Sequence, residues 1–345
     1  MAMKARHVMT VGVVGMISAA ACAQSPPATE YRLGEQGWTA TEAPAPGSDA
    51  EIIARARREL AEDRPGVAES ILDDYIDRYE KTANPLLPQA YLYRGDAISL
   101  GGNEFLALYD YEFVITSFPQ SPEYALANER ELEIALRYVN GLNRKLLGIR
   151  FVGATDIGEE LLIRVQERLP GSRLAERAGI ELADHYYRNR EMGLASEAYD
   201  LFLKNHPNSQ YRMKAMQRRV YASIGRYKGP RYDSRPLVDA EVLIRTFALQ
   251  YPAKAEETGL DEALLARIDE SGALQLLETA RYYFRTGDPS AARYTLKRLI
   301  ARHPLSAAAQ TALAMCEERG WMQPKGEAPA ATSPSEGQSS PEPGQ

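Results

Sequence analysis

From Ser48 onward, apolar residues recur three or four positions apart in one helix-length stretch after another, parted by short breaks rich in Pro, Gly and Ser. That period is the mark of amphipathic helices. Within these stretches one pattern returns: a small residue, a large apolar or aromatic one four positions on, and a proline twelve positions on. The series reads Ala107, Tyr111 and Pro119; Gly158, Leu162 and Pro170; Ala195, Tyr199 and Pro207; Ala240, Ile244 and Pro252; Ala292, Leu296 and Pro304. Residues four apart share a helix face. The small member admits a neighbouring helix closely, the large one fills the same face a turn later, and proline ends the helix. An upstream copy keeps Ala68 and Leu72 but has Glu80 where the proline would stand.

This pattern is similar to the second helix of a tetratricopeptide (TPR) repeat. The expected fold is all-α: a right-handed TPR-type superhelix of five to six helix pairs over residues 48–322, closed by a capping helix over Ser306–Arg319. Ser48 and Asp49 cap a first helix, which Pro65-Gly66 breaks. Gly101-Gly102-Asn103 separates Leu86–Leu100 from Glu104–Phe118. Pro122 to Val139 is a helix with Ser121 at its N-cap, and Ser172, Ser209 and Ser306 follow their prolines at the same spacing as helix caps. Two insertions interrupt the array. One is Arg144–Asp156; the other, Ala253–Asp269, carries a short helical segment around Asp261–Ile268 ahead of a last pair, Leu274–Phe284 and Pro289–His303.

The ends of the chain read differently. Lys4 and Arg6 precede an apolar run, Val8–Ser18, too short to span a bilayer but suited to an export signal. Ala19-Ala20-Ala21 before Cys22 resembles a bacterial lipobox, which implies a signal peptide over 1–21, lipidation of Cys22 and, with Ala23 next, sorting to the outer membrane. The alternative is an ordinary signal peptide cut after Ala21 or Ala23. Residues 22–47, rich in Pro, Ala, Thr and Glu, read as a flexible tether reaching on the order of 25–30 Å as a coil. Residues 323–345, rich in Pro, Ser, Glu and Gly, read as a disordered tail.

The stretch Glu278–Pro304 (ETARYYFRTGDPSAARYTLKRLIARHP) resembles the last repeat of the BamD-type TPR lipoproteins of the outer-membrane β-barrel assembly machinery. Asp233–Pro252, with Ala240, Phe247 and Tyr251-Pro252, resembles the part before it. The likeness runs over about Ala54–Gly320. It implies a lipid-anchored protein on the periplasmic face of the outer membrane, bound to the periplasmic domains of the assembly barrel and receiving unfolded barrel precursors. The chain departs from the family in its first repeat, which lacks the closing proline, in its two insertions and in its tail. Another cell-envelope TPR scaffold, associated with peptidoglycan or division, is the alternative.

A search for chemistry finds little. His206 and His303 stand directly before repeat prolines, as Phe118, Leu169 and Tyr251 do, and read as packing residues. His185 has no cysteine or histidine at ligand spacing. Asp73-Asp74 and Glu159-Glu160 read as solvated surface, and Cys316 as a small buried side chain. With Cys22 and Cys316 the only cysteines, no disulfide scaffold is available. The chain is expected to be no enzyme and to need no cofactor or metal, and its net charge of −6 gives no pull toward nucleic acid.

Two stretches read as binding surfaces. Lys214, Arg218, Arg219, Arg226, Lys228, Arg231 and Arg235 gather against the single acid Asp233, with Tyr221, Tyr227 and Tyr232 interleaved. Such a local excess in an acidic protein suits an acidic partner surface or anionic headgroups. Among Tyr91, Tyr93, Tyr109, Tyr111 and Phe113, Tyr93 and Tyr109 are candidates to line a groove for extended apolar client segments.

Overall fold

The computed structural model describes residues 30–34, 37–41 and 44–321. The lipobox with Cys22 and the tail 323–345 lie outside the described residues. The helices group into two compact units that meet in sequence at Gly101 and Gly102.

The first unit holds a two-stranded antiparallel hairpin, β1 (Glu30–Gly34) and β2 (Gly37–Thr41), within the segment read as a tether. Three helices come next: α1 (Asp49–Ala61), α2 (Pro65–Tyr79) and α3 (Leu87–Leu100), each packed on the other two. Ser48 caps α1 by accepting the Glu51 N–H at 3.2 Å. Asp49 is no cap; its carboxylate accepts from the Tyr79 hydroxyl at 2.9 Å and the Asn84 amide at 3.0 Å, tying the end of α2 to the start of α1. Pro65 is the first residue of α2, a position with no N–H to lose, so it opens that helix; the break comes before it, where Asp63 adopts φ 57°.

The second unit runs through α4 (Glu104–Ser117), α5 (Glu123–Val139), a short hairpin of β3 (Arg144–Leu146) and β4 (Ile149–Val152), and α6 (Thr155–Arg168). It continues with α7 (Arg173–Arg188), α8 (Met192–Asn205), α9 (Arg212–Gly225), α10 (Arg235–Gln250), α11 (Pro252–Thr258), α12 (Glu262–Arg285), α13 (Pro289–Arg302) and α14 (Ala307–Glu318). The helices from α4 to α11 each pack on the next, as do α12, α13 and α14; α10 also touches α12, and α5 touches α7, α7 touches α9 and α12 touches α14. Contacts therefore stay between neighbours in the series, the arrangement of a repeat protein. The fold is all-α and TPR-type.

The repeat positions behave alike. Ala107, Ala195, Ala240 and Ala292 are fully buried, as are Leu162, Tyr199, Ile244 and Leu296, with Tyr111 nearly so. In the first unit Ala68 and Leu72 are fully buried too. The residue before each proline caps its helix with nearly one conformation: Phe118 (φ −129°, ψ 52°), Leu169 (−127°, 52°), His206 (−128°, 64°), Tyr251 (−137°, 63°) and His303 (−128°, 56°). Clash with the proline ring drives that residue out of the helical region. In the first unit the equivalent residue is Tyr79; followed by Glu80 and not by proline, it stays within α2, and Glu80 itself is still helical at φ −56°, ψ −29°.

The residues just after the proline decide the connection. At Ser121, Ser172, Ser209 and Ser306 the backbone N–H donates to the carbonyl of the pre-proline residue at 3.0–3.2 Å, closing a turn. Only two of these serines then cap the next helix through their hydroxyls, Ser172 to Ala175 N–H (3.1 Å) and Ser306 to Ala309 N–H (3.0 Å). Ser209 accepts from Tyr211, ahead of α9, and Ser121 makes no such bond; Pro122, not Ser121, is the residue flanking α5. After Pro252 come Ala253 and Lys254, both good helix formers. There the chain starts α11 directly, with Ala255 N–H donating to Tyr251 O. The second insertion is thus α11 plus the front of α12, a single 24-residue helix that absorbs both the short segment around Asp261–Ile268 and the first helix of the last pair. The first insertion is the β3–β4 hairpin.

Gly158 shows how tight the small position is. A Cβ added there would lie 2.9 Å from the Ala135 carbonyl oxygen and 2.9 Å from Val139 Cγ1 on α5. Gly158→Ala should therefore destabilise the protein by roughly 1–3 kcal/mol through overpacking. Gly66→Ala, with nothing near its Cβ, should be neutral or mildly stabilising. Urea unfolding of both variants checks the contrast.

Candidate functional site

The basic stretch over α9 and the loop after it divides into two halves. Lys214 Nζ and Arg218 Nη1 each lie 2.5 Å from the Asp184 carboxylate of α7, which also accepts the Tyr199 hydroxyl at 2.5 Å. Asp184 is only 3% exposed. Burial pushes its carboxyl up, but the bonds from Lys214, Tyr199 and Arg218 outweigh that and hold it below the usual value. Burial, with the carboxylate beside it, drives the Tyr199 phenol upward. Arg219 pairs with Asp200 of α8 at 2.9 Å. These three cations tie α9 to the preceding pair of helices, and most of their charge is spent inside the fold.

The loop after α9 is different. Arg226, half-buried at the end of α9, and the exposed Lys228 and Arg231 make no ion pair among the described residues. Arg235 is held by Asp233 at 2.5 Å. Tyr227 is half-buried, packs against the α9–α12 core and donates to the Ser271 carbonyl at 3.4 Å, so it anchors the loop. Tyr232 is 59% exposed, and its carbonyl accepts from Gln275 of α12 at 3.0 Å. Gly229, at φ 108°, makes the bend between them. Pro230 and Arg231 line a cleft of about 430 Å³ with Glu278, Tyr282 and Arg285 of α12. Lys228, Arg231 and the exposed Tyr232 are thus presented on an anchored loop, with Arg231 beside α12, while Arg226 lines a separate cleft with Glu197, Asp200 and Asp239.

The aromatic candidates separate. Tyr93, on α3 of the first unit, is half-buried, with the Arg57 guanidinium 5.5 Å from its ring centre. Tyr109, on α4 of the second unit, is 63% exposed, edge-to-face with Phe105 at 5.7 Å. Tyr109 and Phe105 line a groove of about 300 Å³ with Leu108, Ile157 and Leu161, flanked by Glu112, Glu160 and Arg164. At its edge Glu131 is pushed up to about 8 by burial, against the pull of Arg168 at 2.8 Å. The groove can hold a short apolar segment.

The histidines are tied into packing. His185 is buried, with Nδ1 at 3.1 Å from Val139 O and Nε2 at 3.0 Å from Glu159, which also accepts from Tyr186. Glu159 is therefore a bridging residue and not simply solvated surface. His206 packs on Phe202, and His303 Nδ1 lies 2.6 Å from Asp269. Among the described residues no group of three His, Cys, Asp or Glu side chains is placed to hold a metal ion, and no helix is long and apolar enough to cross a membrane. Cys316 is buried and unpaired.

Residues 158–328 match the YfiO family model, described as an outer membrane lipoprotein. The chain is similar over that region to an outer-membrane lipoprotein family of the BamD type. Among solved structures, the C-terminal part of a TPR repeat-containing protein from Cytophaga hutchinsonii is 15% identical, covering 78% of this chain and 88% of that one, with a TM-score of 0.38. PilW, described as a widely conserved type IV pilus biogenesis factor, is 15% identical, covering 76% and 96%, with a TM-score of 0.29. A comparison with curated proteins finds no match.

Asp184 gives a direct check on the division of the basic stretch. Asp184→Asn should cost roughly 2–3 kcal/mol at neutral pH, because two cations and a buried phenol lose a charged acceptor. The native carboxyl titrates below its unfolded value, so its contribution is present above the ordinary carboxylate range and fades as pH falls through the depressed value. Urea midpoints of the variant and the native chain should converge in acid and separate at neutral pH.

Proposed function

We propose that the protein is a non-enzymatic outer-membrane lipoprotein, anchored through Cys22 on the periplasmic face, that scaffolds assembly of β-barrel outer-membrane proteins. The observation that carries this reading is the outer-membrane lipoprotein family match over 158–328, which spans α7 to α14 and the unpaired loop. Its work is binding. The loop cations Arg226, Lys228 and Arg231, with Tyr232, form the docking face for an acidic surface on the periplasmic domains of the assembly barrel. Charges of this kind steer encounter and set register, while apolar contacts hold the complex. Val238 and Val242 are exposed on α10, and Tyr282 on α12; they supply apolar area beside the loop. Lys214, Arg218 and Arg219 support this face from within the fold and do not contact the partner themselves.

The groove at Tyr109 is the site for an unfolded barrel precursor. Its apolar floor and open side suit an extended segment whose alternate residues are apolar, the pattern of a barrel strand. Tyr93, lying in the other unit, would serve such a segment separately.

Reversing Arg226, Lys228 and Arg231 to Glu together should lower recovery of the barrel partner in a detergent pull-down by about tenfold or more, and reversing only the exposed Lys228 and Arg231 should lower it with the thermal midpoint unchanged. Reversal without any loss of recovery would rule out this docking face.

A further inference from the structure

The β3–β4 hairpin has its polarity inverted. Strands that pack on a protein turn apolar side chains inward and polar ones outward. Here Ile149 and Phe151 are 66% and 59% exposed, while Arg150 between them turns inward. Its guanidinium bonds the Glu104 carboxylate at 2.8 Å, the Gly102 carbonyl at 2.9 Å and the Asn143 carbonyl at 2.9 Å. Glu104 is itself buried and also held by Arg137 at 2.6 Å. This ion pair fixes the register, and a one-residue slip would exchange the two faces. The apolar face is therefore held outward by a buried charge.

The turn strengthens the case. Leu147 and Gly148 both take positive φ, 52° and 83°, as a two-residue hairpin turn requires. Asn, Asp or Gly suits the first of these positions; a bulky leucine there is strained. Leu147 is also 92% exposed, so no packing offsets that strain. Leu146 adds a further exposed apolar side chain. Neither folding nor solubility accounts for leucine at this site, and local conflicts of this kind mark functional positions.

The charge around the hairpin indicates what covers it. From Ile134 to Thr155 the chain carries Arg137, Arg144, Lys145 and Arg150 and no carboxylate, in a protein of net charge −6. Two of these cations, Arg137 and Arg150, share the single carboxylate of Glu104, so that trio keeps a net positive charge. Arg144 lies flat over Phe105, 4.2 Å from the ring centre, at the base of the hairpin. An apolar tip above a basic base fits the interface of a bilayer bearing anionic headgroups: acyl chains take the tip, and phosphates meet the cations. An acidic surface with no apolar patch would satisfy the base but leave Leu147, Ile149 and Phe151 in water.

We propose that the β3–β4 hairpin is a membrane-dipping element that inserts Leu147, Ile149 and Phe151 into the headgroup boundary of an anionic bilayer. It acts as a second attachment beside the lipid anchor. A lipid chain joined to a basic, apolar patch holds a protein at a membrane more firmly than either alone. The hairpin precedes the family-matched region, which begins at residue 158. The proposal rests on the cell-envelope reading above, but its test needs no protein partner.

The test uses residues 22–345 with Cys22→Ser, which removes the lipid, and sedimentation with phosphatidylcholine vesicles containing about one third phosphatidylglycerol or none. The chain should bind the anionic vesicles, weakly or not at all the neutral ones, and lose binding as salt is raised. Leu147→Asn with Phe151→Ser should cut vesicle binding by at least about tenfold. Leu147→Asn alone should hold or raise the thermal midpoint, because Asn suits the turn conformation; a merely structural leucine would lower it. Vesicle binding that is absent, or unchanged in the double variant, overturns the proposal. So does a photo-crosslinker at Ile149 that captures a protein and no lipid in cells. Loss of the barrel partner in the loop variant, with vesicle binding intact, would leave this result untouched.

Discussion

The second unit depends on one local constraint, the clash between a proline ring and the residue before it. Five helices end at the same backbone conformation although the residues involved are Phe, Leu, His, Tyr and His. Side-chain identity plays no part in that sharp stop; the proline after it imposes it. Because each helix stops at a fixed distance from its small residue, the turn, the next helix and the next close contact all fall in phase. Tyr79 is the internal control: followed by Glu80 instead of a proline, it stays within the helix. The loop geometry after the prolines is then set by a weaker choice, a serine whose N–H closes a turn or an Ala-Lys pair that propagates a helix.

The same repeat logic sorts the charges. Each helix buries one face on its neighbours, so a cation near that face meets a carboxylate from the preceding pair. Asp184 and Asp200 absorb Lys214, Arg218 and Arg219 in this way. Basic side chains also gather where the chain leaves the repeat, on the loop after α9 and around the β3–β4 hairpin, where Arg137 and Arg150 share Glu104. Packing residues keep to the repeat, and the cations left without an ion pair on the α9 loop lie at one of its interruptions. This is the expected division for a scaffold whose stability and recognition are carried by different side chains.

Much of the fold is legible in the sequence because its signals are local. The small residue, its partner four positions on and the proline all lie within one helix, and the five helices that carry them are found as expected. The partners of the basic stretch are not legible, since Asp184 lies 30 residues from Lys214 and 34 from Arg218. Counted along the chain, seven cations face one acid; packed together, four of them are paired, three with Asp184 and Asp200 and Arg235 with Asp233. The hairpin is hidden for a related reason. Leu147-Gly148 is a poor turn signal, and Arg150 makes sense only beside Glu104, 46 residues away. The serine rule holds in half its cases: the turn it closes is backbone geometry common to all four sites, whereas capping needs a helix that starts at the next residue, as α7 and α14 do.

The most direct test of the scaffold account is purification of the tagged, lipid-anchored protein from outer-membrane fractions in mild detergent, with its companions identified. The account predicts recovery of an assembly-type β-barrel protein bearing periplasmic domains. Recovery of peptidoglycan-binding or division proteins without that barrel would contradict it.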